Sequence, residues 1–207
     1  MAMGFHGWTE DFQRFFIGLE LDNSKRYFDA NKKVYLERVK GPMVDLLESL
    51  EAEFGPGKIF RANRDTRFSA DKSPYKANIA ATTERGGYLS LDARSLYAGG
   101  GRYHLDKPQL EAYRAAVVDD RSGAELAAIV GKLEADGYLV GGEELKRTPA
   151  GLPSDHPRAR LLRHKRIYYM KDFGLQPWLG TARAADRVAK VWRDGRPLTD
   201  WLGRVIG

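Results

Sequence analysis

Residues 79–98 read Ile79-Ala80-Ala81-Thr82-Thr83-Glu84-Arg85-Gly86-Gly87-Tyr88-Leu89-Ser90-Leu91-Asp92-Ala93-Arg94-Ser95-Leu96-Tyr97-Ala98, and this stretch decides the fold class. Three short runs, Ile79 to Thr83, Tyr88 to Asp92 and Ser95 to Ala98, carry the β-branched, aromatic and alternating apolar residues that suit a half-buried pleated strand. Gly86-Gly87 and Asp92-Ala93-Arg94 separate them and are tight connections of the hairpin type. The three runs therefore read as an antiparallel meander. Lys58 to Asn63, a little upstream, is β-like as well.

Before this region the pattern is helical. Thr9 is a candidate cap for a first helix whose Phe12, Phe15, Phe16 and Leu19 follow at the spacing of one buried stripe. Asn23-Ser24 is a second start signal leading into Tyr27, Phe28, Tyr35 and Val39, then Met43, Leu46, Leu47, Leu50 and Phe54. Gly41-Pro42 is expected to kink or restart this helix, and Gly55-Pro56-Gly57 to end it. After the meander, Asp106 with Gln109 resembles a capping box opening a helix through Val118, and another runs from about Ser122 to Asp136. Asp155 starts a short helix leading to an alternating strand, Ile167 to Met170. Gln176 onward is helical, with Trp178, Val188, Val191 and Trp192 as core candidates. The expected fold is α+β in a single domain, 1–207: a small, mainly antiparallel sheet with N-terminal helices packed on it and a helical C-terminal half.

Composition narrows the function classes. With 43% apolar and 30% charged residues the chain can build a core without staples. It has no cysteine, which excludes disulfides, thiolate zinc sites, iron–sulfur ligation and cysteine nucleophiles. No apolar run is long enough for a membrane span, and the first residues lack the pattern of a signal peptide, so a cytoplasmic protein is expected. The net charge is +6, and it is localised. Between Lys58 and Lys76 six cations face two acids, a balance of +4; between Arg158 and Lys171 six cations face none.

The first of these segments contains Arg64-Asp65-Thr66-Arg67-Phe68-Ser69-Ala70-Asp71-Lys72-Ser73-Pro74-Tyr75-Lys76, which lies between two strands and reads as a long loop. Loops of this length without regular structure are uncommon in compact domains unless they function or are disordered. Phe68, Tyr75 and Pro74 are anchors that a flexible linker would not need. Arg64 and Arg67 offer planar forks to a phosphate or carboxylate, and Lys72 and Lys76 add point charges. The competing reading is that Asp65 and Asp71 neutralise two of these cations and no ligand is involved.

This segment resembles the signature of the family called domain of unknown function 2461. Asn23-Ser24-Lys25-Arg26-Tyr27-Phe28-Asp29-Ala30-Asn31-Lys32 is similar to a second stretch of that family, and Gly142-Glu143-Glu144-Leu145-Lys146-Arg147 to a third. Ser24 stands where the family often has Asn, and Tyr27 where it often has Trp. The resemblance covers nearly the whole chain and implies a shared fold; it brings no activity with it.

Other motifs are weaker. Tyr97-Ala98-Gly99-Gly100-Gly101-Arg102-Tyr103-His104 is not a dinucleotide fingerprint, because the helix begins several residues after the glycines; it reads as a β-bulge or a close backbone crossing. His6, His104, His156 and His164 show no metal-ligand spacing, and no metal or cofactor is implied. His104 is the one candidate general base. The segment from Arg158 to Lys171 interleaves cations with Leu161, Leu162, Ile167, Tyr168, Tyr169 and Met170, as the outer face of packed elements would.

Three functions fit. The first is binding of a phosphate- or carboxylate-bearing small molecule through Arg64, Asp65, Arg67, Lys72, Tyr75 and Lys76, with or without a reaction. The second is nucleic-acid binding across both basic segments, with Tyr27, Tyr75 or Tyr168 as stacking platforms. The third is docking of an acidic protein partner.

Overall fold

The computed structural model describes residues 4–67 and 70–207. Among the described residues six strands form one antiparallel sheet in the order β1-β2-β3-β4-β6-β5, and with the helices this is the expected α+β class. No described helix is long and apolar enough to cross a membrane. The chain divides into two compact units, Met1–Ala98 with Asp172–Lys190, and Gly99–Lys171 with Val191–Gly207.

In the first unit α1 (Asp11–Leu21) buries Phe12, Phe15, Phe16 and Leu19, the stripe expected from their spacing. The expected cap does not form. Thr9 Oγ1 donates to Asp11 Oδ2 at 2.8 Å, and Glu10 takes the cap position without a side-chain bond to the helix backbone, its carboxylate accepting instead from Arg14. Phe15 sits in a ring cluster, with centroids 5.3 Å from Phe16, 6.0 Å from Phe28 and 5.4 Å from Tyr35. Ser24 caps α2 (Lys25–Ala30) by accepting from the Tyr27 amide. A short α3 (Lys32–Val34) then continues into a π-helical stretch, Tyr35–Lys40, and α4 (Gly41–Phe54). Pro42 has no N–H to offer the preceding turn; the helix accommodates it by widening, so that the Gly41 amide bonds Leu36 O, five residues back. The kink expected here is thus a change of helical pitch, and Tyr35, Val39, Met43, Leu46 and Leu47 all remain buried.

The strands follow: β1 (Gly57–Ile59), β2 (Asn78–Thr83), β3 (Gly87–Asp92) and β4 (Leu96–Arg102). Ile79 faces Leu91 and Ala81 faces Leu89 across β2 and β3, so the apolar positions of the meander share one face. The side chain of Asp92 accepts from the amides of Arg94 and Ser95 and thereby makes the turn into β4.

In the second unit Asp106 and Gln109 form the expected capping box at the head of α5 (Lys107–Val118), and Asp119 caps α6 (Asp120–Ala135). Strand β5 (Leu139–Gly141) was not foreseen: three residues are too few to show alternation, and its pairing with Tyr168, Tyr169 and Met170 of a later strand defines it. After α7 (Ala159–Leu162) comes that strand, β6 (Ile167–Asp172); the 3₁₀ turn at Pro177–Gly180 and α8 (Arg183–Asp194) as far as Lys190 belong to the first unit, and the end of α8 and α9 (Arg196–Ile206) to the second. The glycine run of β4 is a backbone crossing. A Cβ on Gly99 would lie 2.1 Å from Tyr169 O, and one on Gly101, at φ 119°, 2.5 Å from Ile167 O.

Candidate functional site

The segment expected to be a loop is pinned at its base like a hairpin. The Arg64 amide donates to Pro74 O and the Lys76 amide to Ala62 O, both at 2.8 Å, around a bridge between Asn63 and Tyr75. Tyr75 is the anchor. It is 6% exposed, and its ring stacks on Phe28 of α2 with centroids 4.1 Å apart and planes 2° from parallel. Its backbone is clipped by one side chain from outside the segment: Asn23 Oδ1 accepts from the Tyr75 amide at 3.0 Å, and Asn23 Nδ2 donates to the Tyr75 carbonyl at 3.1 Å. An amide side chain meets a backbone peptide in this two-point fashion because it carries the same donor and acceptor pair. Phe68, the other expected anchor, and Ser69 lie outside the described residues.

The cations divide into two sets. Arg67 commits its fork to Asp65, with Nε to Oδ1 at 3.0 Å and Nη2 to Oδ2 at 2.8 Å. That fork holds the Asp65 carboxyl below the usual carboxylate range. Lys72 Nζ donates to Thr66 O, and Asp71 accepts from the Ser73 hydroxyl and amide, which push its carboxyl down as well. These contacts belong to the segment's own scaffold. Arg64, Arg61 and Lys76 form the other set. Arg64 Nη2 reaches Asp71 at 3.0 Å, but its Nε is buried without a hydrogen-bond acceptor. Arg61 has only a 3.9 Å approach to Asp65. The Lys76 ammonium is pushed below the usual lysine range, first by burial and then by the positive charges of Arg61 and Arg64. Lys76 rests 5.7 Å from the centre of the Phe60 ring. Among the described residues no carboxylate from outside the segment pairs with Arg61, Arg64 or Lys76.

Two stretches of the chain that are 52 residues apart therefore build one structure, Asn23 and Phe28 from one and Tyr75, bridged to Asn63, from the other. The family model described as Conserved hypothetical protein (DUF2461) matches residues 11–201, a span that contains both. The chain belongs to this family. Among curated proteins, none matches. Membership accounts for the joint occurrence of the two stretches and assigns no chemistry to them.

The remaining expected site residues are placed elsewhere. His104 is an exposed residue of the second unit, just beyond β4. Of the stacking candidates, Tyr75 is committed to Phe28, and the Tyr27 hydroxyl donates to Phe15 O. Tyr168 is half-buried, 6.1 Å from the exposed ring of Tyr103.

The charges of the second basic segment are met by groups from elsewhere in its unit, although Arg163 and Arg166, like Arg64, each keep a buried Nε without an acceptor. Arg158 bonds the carbonyls of Val117, Val118 and Asp119, where α5 ends. Arg160 pairs with Glu134, Arg163 with Glu144, and Lys165 and Arg166 with Glu143. Lys171 donates to Gly137 O and lies against the Tyr138 ring. Sequence reading passed over His164, which is fully buried with neither ring nitrogen hydrogen-bonded and its Nδ1 3.8 Å from Glu144. Only the bridge pairing Glu144 with His164 reveals it, and no spacing in the sequence marks that bridge.

Proposed function

We propose that the chain binds a small molecule bearing a phosphate or carboxylate, through Arg61, Arg64 and Lys76, in the cytoplasm. One observation carries this reading: an arginine with a buried, unbonded Nε and a partly buried ammonium stand beside a third cation, and their mutual repulsion is unrelieved by any carboxylate from outside the segment. An anion there would supply the missing acceptor and restore the ordinary basicity of Lys76. Asp65, Arg67, Lys72 and Tyr75 then have a supporting role: they fix the backbone from which the three cations project.

The test is a thermal-shift panel of sugar phosphates, nucleotides and polycarboxylates at matched ionic strength. A ligand at 100 times its dissociation constant adds about 2.7 kcal/mol, which for a domain of this size raises the melting temperature by roughly 5 to 11 °C. Lys76→Met should abolish the shift, and Arg64→Lys should weaken it because the planar fork is lost. Arg67→Lys should keep it, since that fork is committed to Asp65. A panel giving no shift beyond that of matched sulfate sinks the reading.

A further inference from the structure

Phe60 is 37% exposed, and Lys76 Nζ lies 5.7 Å from the centre of its ring. An aromatic ring offers an apolar face on which flat groups stack and over which cations rest. Within this unit Phe60 is held by its amide, which donates to Ala80 O at 2.9 Å, so its place is fixed by the sheet. The chain bends at Ala62 on the way to Arg64. Lys76, bonded through its amide to that same Ala62, is the common neighbour of Phe60, Arg61 and Arg64. Four residues of strand reach at most about 13 Å, and the bend shortens this. A ring surface and an anion-seeking fork therefore lie within the length of one small molecule.

We infer that the ligand of this site is an aromatic phosphate of the nucleoside monophosphate class, its base stacked on Phe60 and its phosphate held by Arg64 and Lys76. This rests on the anion-binding reading given above. Lys76 now leans on the face of Phe60 at 5.7 Å, near the outer limit of a useful cation–π contact. A phosphate offers that ammonium a full negative charge, a stronger partner than a ring quadrupole in a site exposed to solvent. Once Lys76 turns to the phosphate, the ring face it leaves is free for the base. Stacking on an aromatic side chain tolerates any base, so purine and pyrimidine nucleotides should both bind.

The experiment is isothermal titration of the full chain with AMP, UMP, ribose 5-phosphate and inorganic phosphate, for the wild type and for Phe60→Leu, Phe60→Tyr and Lys76→Met. Both nucleotides should bind about tenfold or more tighter than ribose 5-phosphate. Phe60→Leu should erase that preference and leave ribose 5-phosphate unchanged, Phe60→Tyr should keep it, and Lys76→Met should weaken every phosphate. If ribose 5-phosphate binds the wild type as tightly as the nucleotides, or if Phe60→Leu keeps the preference, the ring has no role and the inference fails while the anion site stands. If none of the four binds the wild type, the inference fails, and the anion site is then decided by the polycarboxylates of the thermal-shift panel.

Discussion

The segments 58–76 and 158–171 each hold six cations, but their charges end up in different circumstances. In the second, helix α6 brings Glu134 and the stretch before the Glu144–His164 bridge brings Glu143 and Glu144, and Arg158 and Lys171 close open carbonyls. In the first, the carboxylates seen among the described residues to pair with its arginines are its own Asp65 and Asp71, which serve Arg67, Arg64 and, distantly, Arg61. The segment with no acid in its sequence is the better neutralised one. Charge counted along a window is thus a poor guide to charge in space, because a fold recruits counter-ions from far along the chain.

The comparison predicts that the first segment is held by its anchor and the second by its ions. Tyr75→Ala should destabilise the protein by about 3 to 5 kcal/mol, the usual cost of removing a large buried aromatic, read from the midpoint of urea unfolding. A loss below about 1 kcal/mol would show that the stacked ring is dispensable and that ions hold both segments. Next in size is Arg158→Ala. That side chain is 14% exposed and serves three carbonyls, so the change should cost about 1.5 to 3 kcal/mol. An Arg158→Ala protein as stable as wild type would break the claim that the second segment is structural.

A smaller effect should appear in acid. Burial pushes His164 below its ordinary value of 6.5, opposed by Glu144 and reinforced by Arg160 and Arg163, with Glu134 a minor opposing charge. The folded state therefore binds fewer protons than the unfolded one. The stability contributed by neutral His164 is complete above the unfolded value and is lost as pH falls below it, towards the lower folded value. Between about pH 7 and pH 5 the wild type should lose more stability than His164→Gln does. Parallel profiles for the two proteins would refute this. The smallest effect belongs to Arg67→Ala, whose partner is an exposed carboxylate. Its unfolding midpoint should match wild type within error, and a clear loss would mean that the pair with Asp65 is structural.

Much of the fold was legible because its signals are local. The meander is announced by alternation and two tight connections, and α5 by a capping box of four residues. Strand β5 was not, since Leu139 to Gly141 becomes a strand only through Tyr168 to Met170, almost thirty residues later. Within the candidate site, the residues Arg64 to Lys76 stood out by composition and by family resemblance, but their division of labour did not. Nothing in the sequence tells Arg67, bidentate on Asp65, from Arg64, whose Nε has no acceptor. Phe60 escaped notice because an aromatic residue in a β-like run is ordinarily core, and exposure is a property of the assembled edge.

The clip between Asn23 and Tyr75 has a kinetic side. The Tyr75 amide is hydrogen-bonded to a side chain 52 residues away rather than to a neighbouring strand. Closing a loop of that length costs entropy that the clip alone does not return, so it forms after the helices and the meander have begun to pack. In amide hydrogen exchange, Tyr75 should therefore open through a different fluctuation from the ladder amides of Arg64 and Lys76 on either side of it. Its protection reports directly on whether α2 and the basic segment are docked, and Asn23→Ala should quicken exchange at Tyr75 before it disturbs the sheet.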